Sequence, residues 1–217
     1  MNVALKTSYQ YVIGLTGPIA SGKGLAVKAI REELGDRSIQ SILLSDYIRE
    51  VVRAEGLPLN RDTLREAGNA KRKEQGPGAW VEEMLSRLPT LGGTVLIVDS
   101  IRNPGEIEAL HRAFGERLFV IATDAPVEDR IERVLMRARL DDSTDPVEVE
   151  RAMRIEMEDN PEYGFAIERC REMADAVSLG KESKQERVAE IQERVRAFVE
   201  GLEETEARRE LRRGRAA

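Results

Sequence analysis

Short apolar runs alternate with amphipathic stretches along this chain. Tyr11-Val12-Ile13-Gly14-Leu15-Thr16 is apolar on both sides and ends in a glycine-rich turn, which predicts a buried strand. Leu25 to Leu34 has helical spacing and stops at Gly35-Asp36. Ile39 to Leu44 predicts a second strand, broken by Ser45-Asp46, and Tyr47 to Glu55 a helix that ends at Gly56. Residues 61–75 predict a polar helix closed by Gly76-Pro77-Gly78, and Trp80 to Leu88 a shorter one. Thr94 to Val98 is the strongest strand signal and ends in Asp99. A helix over Glu106 to Phe114 and a strand over Leu118 to Ala122 follow. The next helix runs from Pro126 to about Arg139, with Val127, Ile131, Val134, Leu135 and Ala138 as its buried face. An acidic turn at 140–146 leads to a charged helix reaching about Asp159, then Asn160-Pro161, a further helix and a last strand at Ala176-Val177-Ser178-Leu179.

Five strands alternating with helices predict an α/β fold, a parallel sheet sandwiched by helices through β-α-β crossovers. From about Ser183 the chain is helical again. Val188, Ile191, Val195, Phe198 and Leu202 form a stripe expected to pack on the body, since two heptads make a short coiled coil; a homodimer is the alternative to a monomer. Arg208, Arg209, Arg212, Arg213 and Arg215 are interleaved with glutamates and read as a solvated end.

Composition narrows the chemistry. The 217 residues suit one domain with a sizeable core, and 41% hydrophobic residues fit a folded chain. A formal charge of −6 gives no general pull toward nucleic acid or anionic lipid, so neither partner is expected. One cysteine, Cys170, excludes an internal disulfide, and with one histidine, His111, the common zinc sites cannot be assembled. Cys170 reads as packing and His111 as a solvated helix residue. No apolar run approaches the ~20 residues of a membrane helix, and the first ten residues lack a signal pattern, which predicts a soluble, cytoplasmic protein.

The segment Gly17-Pro18-Ile19-Ala20-Ser21-Gly22-Lys23-Gly24-Leu25 follows a strand and opens a helix. In that context Gly-x4-Gly-Lys predicts a phosphate-binding loop of the P-loop NTPase type. Glycines let backbone amides wrap one phosphate, the helix N-terminus adds partial positive charge, and Lys23 reaches the β- and γ-phosphates of ATP. The usual Ser/Thr ligand of magnesium is replaced by Gly24, and Leu25 supplies no hydroxyl one position later. Mg2+ must then be held through water and carboxylates. Asp99, at a strand end facing the ligand crevice, is the candidate.

By the same geometry Asp46 ends the second strand on the acceptor side, either to orient or deprotonate the attacking group or to cap the next helix. Arg49 and Arg53 share one helical face, and Arg102 follows Asp99 closely; arginine forks match the oxygens of a phosphate-bearing acceptor. Arg130, Arg133 and Arg137 stripe the later helix and Arg139 precedes the acidic turn. Arg137 and Arg139 are the candidates for stabilising a transferring phosphoryl group, with an Asp129–Arg133 ion pair as the plainer use of that face.

The phosphate loop, the turn Ser45-Asp46-x-Ile48-Arg49 and the segment Asp99-Ser100-Ile101-Arg102-Asn103-Pro104-Gly105-Glu106 resemble P-loop nucleoside monophosphate kinase-like proteins. Three relatives look most similar: phage deoxynucleoside monophosphate kinases, an uncharacterised archaeal kinase-like group related to dephospho-CoA kinase, and the P-loop domain fused to phage-defence dCTP deaminases. Leu64 to Gly78, and Tyr163-Gly164-Phe165 through Ala174-Asp175, support the last two. The resemblance covers roughly residues 10 to 180. It implies a kinase domain over 1–182, with a helical acceptor region at about 46–90 and a lid at about 138–162, and leaves 183–217 as a C-terminal helix and charged tail. It also implies Lys23 on phosphates, Asp46 and Arg49 at the acceptor, and Asp99 with Arg102 near metal and phosphates. A zinc deaminase is excluded, because the His-x-Glu and Cys-x-x-Cys it requires are absent.

The implied activity is ATP-dependent phosphoryl transfer to a nucleoside or deoxynucleoside monophosphate. One alternative is transfer to a sugar hydroxyl, as by dephospho-CoA kinase, for which Asp46 would be a true base. The other is a non-catalytic nucleotide sensor, favoured by the missing hydroxyl at Gly24-Leu25.

Overall fold

The apolar run Tyr11–Thr16 forms β1, and every one of its residues is buried, as a central strand requires. The computed structural model describes residues 9–88, 93–137, 139, 142–157, 160, 162–180 and 183–214. After β1 come α1 (Lys23–Leu34), β2 (Ile39–Leu43), α2 (Leu44–Ala54), α3 (Arg61–Gln75) and α4 (Ala79–Arg87). The second half contains β3 (Val95–Ile101), α5 (Pro104–Phe114), β4 (Leu118–Thr123), α6 (Val127–Arg137), α7 (Pro146–Met157), α8 (Ile167–Glu172), β5 (Ala176–Ser178) and α9 (Lys184–Gly214). Among the described residues five strands form one sheet in the order β2-β3-β1-β4-β5, and all four pairings are parallel. The expected α/β sandwich, a P-loop NTPase fold, is therefore the fold observed.

Alternation along the strands builds two layers. Val12, Leu96, Val98 and Val120 face α4 and α5, where Val81, Met84, Ile107 and Leu110 close the core. Tyr11, Ile13, Leu15, Ile97 and Ile121 face α1 and α9. The C-terminal stripe packs on the body as expected: Ile191, Val195 and Val199 are buried against α1, and Phe198 stacks on Phe119 with ring centroids 4.9 Å apart. Full burial of each such side chain stabilises the fold by about 1.5–3 kcal/mol. Two smaller cores flank the sheet. Ile48, Val52, Leu64 and Trp80 join α2, α3 and α4, and Ile19, Val134, Val149 and Met153 join the phosphate loop to α6 and α7.

Several boundaries differ from the pattern-based expectation. β2 stops at Leu43, so Ser45 and Asp46 already lie in the first turn of α2, where a carboxylate suits the positive end of the helix. β3 runs on through Asp99 to Ile101, with a register shift against β1 at Leu15/Thr16. On α6 the buried positions are Arg130 and Val134, while Val127 is 38% exposed. Ile131 and Leu135 pack with Val134 on the expected face, and Arg130 is buried beside them, which apolar periodicity could not show. Of the expected acceptor region, positions 89 and 90 lie outside the described residues; so do 138, 140, 141, 158, 159 and 161 of the lid, Ala138 and Pro161 among them, and Arg215 of the tail. Among the described residues no helix is long and apolar enough to cross a membrane.

The segment Asn103-Pro104-Gly105-Glu106 is structural. Asn103 caps α5, accepting from the Gly105 amide at 2.9 Å, and Glu106 closes the capping box. The fully buried Glu106 carboxylate also accepts from the Arg102 amide at 2.8 Å and pairs with the buried Arg72 guanidinium at 2.9 Å. Replacing Glu106 by Ala would leave the Arg72 charge buried and uncompensated. We expect Glu106→Ala to lower unfolding stability by about 3–5 kcal/mol, measured by urea denaturation. A loss below about 1 kcal/mol would show the pair to be dispensable.

Candidate functional site

β1 leaves the sheet at Thr16 and the chain wraps through residues 17–22 before α1 begins at Lys23. The wrap demands glycine at two points. Gly17 has φ of 131°, and a Cβ there would collide with the Thr123 carbonyl. Gly22 has φ of 111°, in the left-handed region that favours glycine. The first turn of α1 carries no acidic residue and no side-chain cap, which suits an anion at this helix end. The loop is fastened to β4 by a 2.7 Å hydrogen bond between the Ser21 and Thr123 hydroxyls. Glu156 of α7 holds it from above, its carboxylate accepting from the Ile19 amide at 2.8 Å.

Lys23 is 8% exposed and folds back on its own loop, donating from Nζ to the carbonyls of Gly17 (2.7 Å) and Pro18 (2.8 Å). Burial pushes its pKa down to about 7, and the nearby Arg102 charge adds to the effect; Asp99 and Glu156 oppose it, and Arg137 contributes in the same sense as Arg102. The ammonium thus sits at a site that lacks a full counter-charge.

Above the loop opens a cavity of about 420 Å3, within the usual range for small-molecule sites. Residues Ile19 to Leu25 form its floor. Nine cationic side chains line it. Arg133, Arg137 and Arg139 lie with Lys23 toward α6 and the lid, and Arg49, Arg61, Arg65, Arg72 and Arg102 toward α2, α3 and β3. Against them stand three carboxylates, Asp62, Asp99 and Glu156. The chain as a whole carries −6, so this wall concentrates positive charge against the trend of the surface.

The expected site residues fall into two groups. The loop residues Ile19 to Leu25, with Asp99, Arg49, Arg102, Arg137 and Arg139, line the one cavity; Gly17 and Pro18 lie beneath, accepting from Lys23. Asp99 is half-buried within β3 beside Ser100, whose φ of 69° is unusual for a non-glycine residue and marks stored backbone strain. Arg49 is held by the Ser45 hydroxyl at 2.8 Å and Asp46 at 2.9 Å. Arg102 donates to the Gly17 carbonyl at 3.1 Å and pairs with buried Glu156, so it braces the loop from this position. Arg133 likewise donates to the Ala20 carbonyl at 3.1 Å, besides its expected pairing with Asp129. Asp46 and Arg53 are not on the cavity wall. The Asp46 side chain is 63% exposed and turned to Arg49, and Arg53 is exposed in the last turn of α2.

Arg61 and Asp142 carried no sequence signal of their own. Arg61 and Arg137 converge on one carboxylate, Asp142, whose side chain is 1% exposed; the Arg61 Nε contact is 3.1 Å and the Arg137 Nε contact 2.8 Å. Burial alone would raise the Asp142 pKa, but the hydrogen bond from Arg137 and the charge of Arg61 outweigh it and hold the carboxyl below the usual range. This ion triad ties the start of α3 to the end of α6, and Asp62–Arg151 (2.8 Å) adds a second tie between α3 and α7. Cys170 is fully buried and its thiol is pushed up to about 12 by burial, as suits a packing residue. His111 is exposed on α5.

A parallel sheet ordered 2-3-1-4-5, a glycine-rich loop opening α1 and a lysine at its root define a P-loop kinase-like protein. A family model described as an AAA domain (AAA_17) matches residues 16–151. The chain belongs to that family and, with it, to the UPF0200 proteins, as the following similarity shows. The UPF0200 protein PH1008 of Pyrococcus horikoshii is 31% identical, over 77% of this chain and 87% of that one. A UPF0200/UPF0201 protein of Archaeoglobus fulgidus is also 31% identical over 76% of this chain, but the match spans about half (48%) of that relative. Among solved structures, a gluconokinase from Sinorhizobium meliloti superposes with a TM-score of 0.54 at 16% identity, covering 91% of this chain and 98% of the other, a likeness of fold.

The depressed Lys23 pKa yields a test of the site. A polyphosphate beside the ammonium would return its pKa toward the ordinary lysine value, so ATP binding near pH 8 must take up a proton. Calorimetric titration in buffers of different ionisation enthalpy should show this uptake, with affinity falling as pH rises from 7 to 9. Lys23→Met should abolish the buffer dependence. Buffer-independent enthalpy in the parent protein would contradict the depressed Lys23 pKa, and unchanged ATP affinity in Lys23→Met would contradict its placement on the phosphates.

Proposed function

We propose that this protein transfers the γ-phosphoryl group of ATP to a phosphate-bearing acceptor, a nucleoside or deoxynucleoside monophosphate. The observation that carries the reading is the cavity wall: nine cationic side chains against three carboxylates share one space above the phosphate loop, a lining suited to phosphate-bearing ligands. In this reading Lys23 and the α1 amides hold the donor phosphates. Arg133, Arg137 and Arg139 meet the charge that spreads over the transferring group, and Arg49 and Arg65 grip the acceptor phosphate. An acceptor phosphate oxygen attacks the γ-phosphorus, the bond to the β-phosphate oxygen breaks, and ADP leaves.

The position of Asp46 favours this reading over the hydroxyl-acceptor alternative. A hydroxyl needs a base at the acceptor, and the residue suited to that role by sequence is exposed and off the wall. A phosphate acceptor is already anionic and needs none. Magnesium fits this site only in part. Among the described residues no three His, Cys, Asp or Glu side chains gather to form a metal cage, so Asp99 would hold the ion together with water and the ATP phosphates. Bound there, Mg2+ would neutralise β- and γ-phosphate charge. The ATP supply this reaction needs is consistent with a cytoplasmic setting.

The test is incubation with ATP, Mg2+ and a panel of ribo- and deoxyribonucleoside monophosphates plus dephospho-CoA, read by ADP formation and product mass. We expect turnover only with monophosphates. Asp46→Asn should leave kcat/KM within about twofold, while Asp99→Asn and Lys23→Ala lower it about a hundredfold or more. Dephospho-CoA turnover that collapses in Asp46→Asn would establish the hydroxyl reading instead. Tight ATP binding with no acceptor turned over would favour the sensor, for which Gly24 and Leu25 are the supporting residues.

A further inference from the structure

The phosphate loop has a support from the far end of the chain. Arg187, in the first turns of α9, is 3% exposed. One terminal nitrogen donates to the Ser21 carbonyl at 3.0 Å. Its guanidinium packs against Gly22: a Cβ on residue 22 would come within 2.6 Å of that nitrogen and 3.2 Å of Cζ. The contact joins residues 166 positions apart and is held in place by the burial of Ile191, Val195 and Val199 against α1.

The geometry has a chemical consequence. In a planar trans peptide the C=O and the following N–H point in opposite directions. With Arg187 holding the Ser21 carbonyl on the α9 side, peptide planarity points the Gly22 amide donor away from α9, and Gly22 is among the residues lining the cavity. A buried charge-assisted hydrogen bond holds a peptide plane more firmly than a neutral one. The guanidinium also fills the space that glycine leaves and adds positive potential behind the loop.

We propose that Arg187 is a positioning residue of the nucleotide site: it fixes the Ser21–Gly22 peptide so that the Gly22 amide is presented to the polyphosphate, which makes α9 part of the binding apparatus. This rests on the reading that the loop binds nucleotide phosphates. The role is at the phosphates, not the base, so inorganic pyrophosphate should report it as well as ATP.

The test compares the parent protein with Arg187→Met, which keeps the apolar stem, and Arg187→Lys, which keeps the charge and a single donor nitrogen. Calorimetry gives Kd for ATP and for pyrophosphate, and 15N-resolved NMR follows the Gly22 amide on titration with pyrophosphate. We expect Arg187→Met to weaken both ligands by about tenfold or more and to remove the Gly22 response, with Arg187→Lys recovering part of each. A general loss of stability would move Tm without singling out Gly22. Parent-like Kd values for both ligands in a folded Arg187→Met would overturn the proposal, as would a loss for ATP with none for pyrophosphate. Should Arg187→Met fail to fold, Arg187→Lys decides: a loss of about threefold for both ligands supports the proposal, and no loss overturns it. A parent protein that binds neither ligand refutes the nucleotide reading itself, and the role of Arg187 with it.

Discussion

The site depends on a buried lysine whose hydrogen-bond partners are two carbonyls and a hydroxyl. Lys23 is anchored by the carbonyls of Gly17 and Pro18, and no carboxylate reaches it within hydrogen-bond distance among the described residues. Desolvation penalises such a charge, and an anion of several charges relieves the penalty. The surroundings arrange that relief. β1 lies between β3 and β4, so the loop rises between Asp99 on one side and Thr123 on the other. The helix that follows offers uncapped amides, and arginines from α2, α3, α6 and the segments beside them close the cavity.

Most arginines of the wall are already engaged. Arg72 is committed to Glu106, Arg102 to Glu156, and Arg61 and Arg137 share Asp142. Such pairing lets a protein concentrate positive charge without excessive repulsion, and it divides the arginines by role. Arg72 belongs to the fold, because both it and Glu106 are fully enclosed. Arg61 and Arg137 remain about a quarter exposed and face the cavity, so a ligand phosphate can compete for them with Asp142.

The sheet and the loop were legible because their signals are local. Continuous apolar strands, a glycine-lysine loop at a strand end and turns at Gly35 and Gly76 each declare themselves within ten residues. Asp99 followed from strand geometry. Arg187, Glu156 and Asp142 were not legible, since each sits in a charged stretch that looks solvated and is buried only by a contact from a distant segment. Asp46 misled for the converse reason: the pattern put it at a strand end, whereas the helix began two residues earlier and turned it outward. The Asn103–Glu106 segment resembles a kinase motif and serves as a helix cap and a buried ion pair.

A cavity that holds donor and acceptor phosphates together should accept both in one molecule. A bisubstrate ligand, two nucleosides joined by five phosphates, tests it most directly in a calorimetric titration. One ligand should bind per chain, about a hundredfold or more tightly than ATP, with the gain lost in Lys23→Met. Binding no tighter than ATP would contradict it, and would leave a site for a single nucleotide.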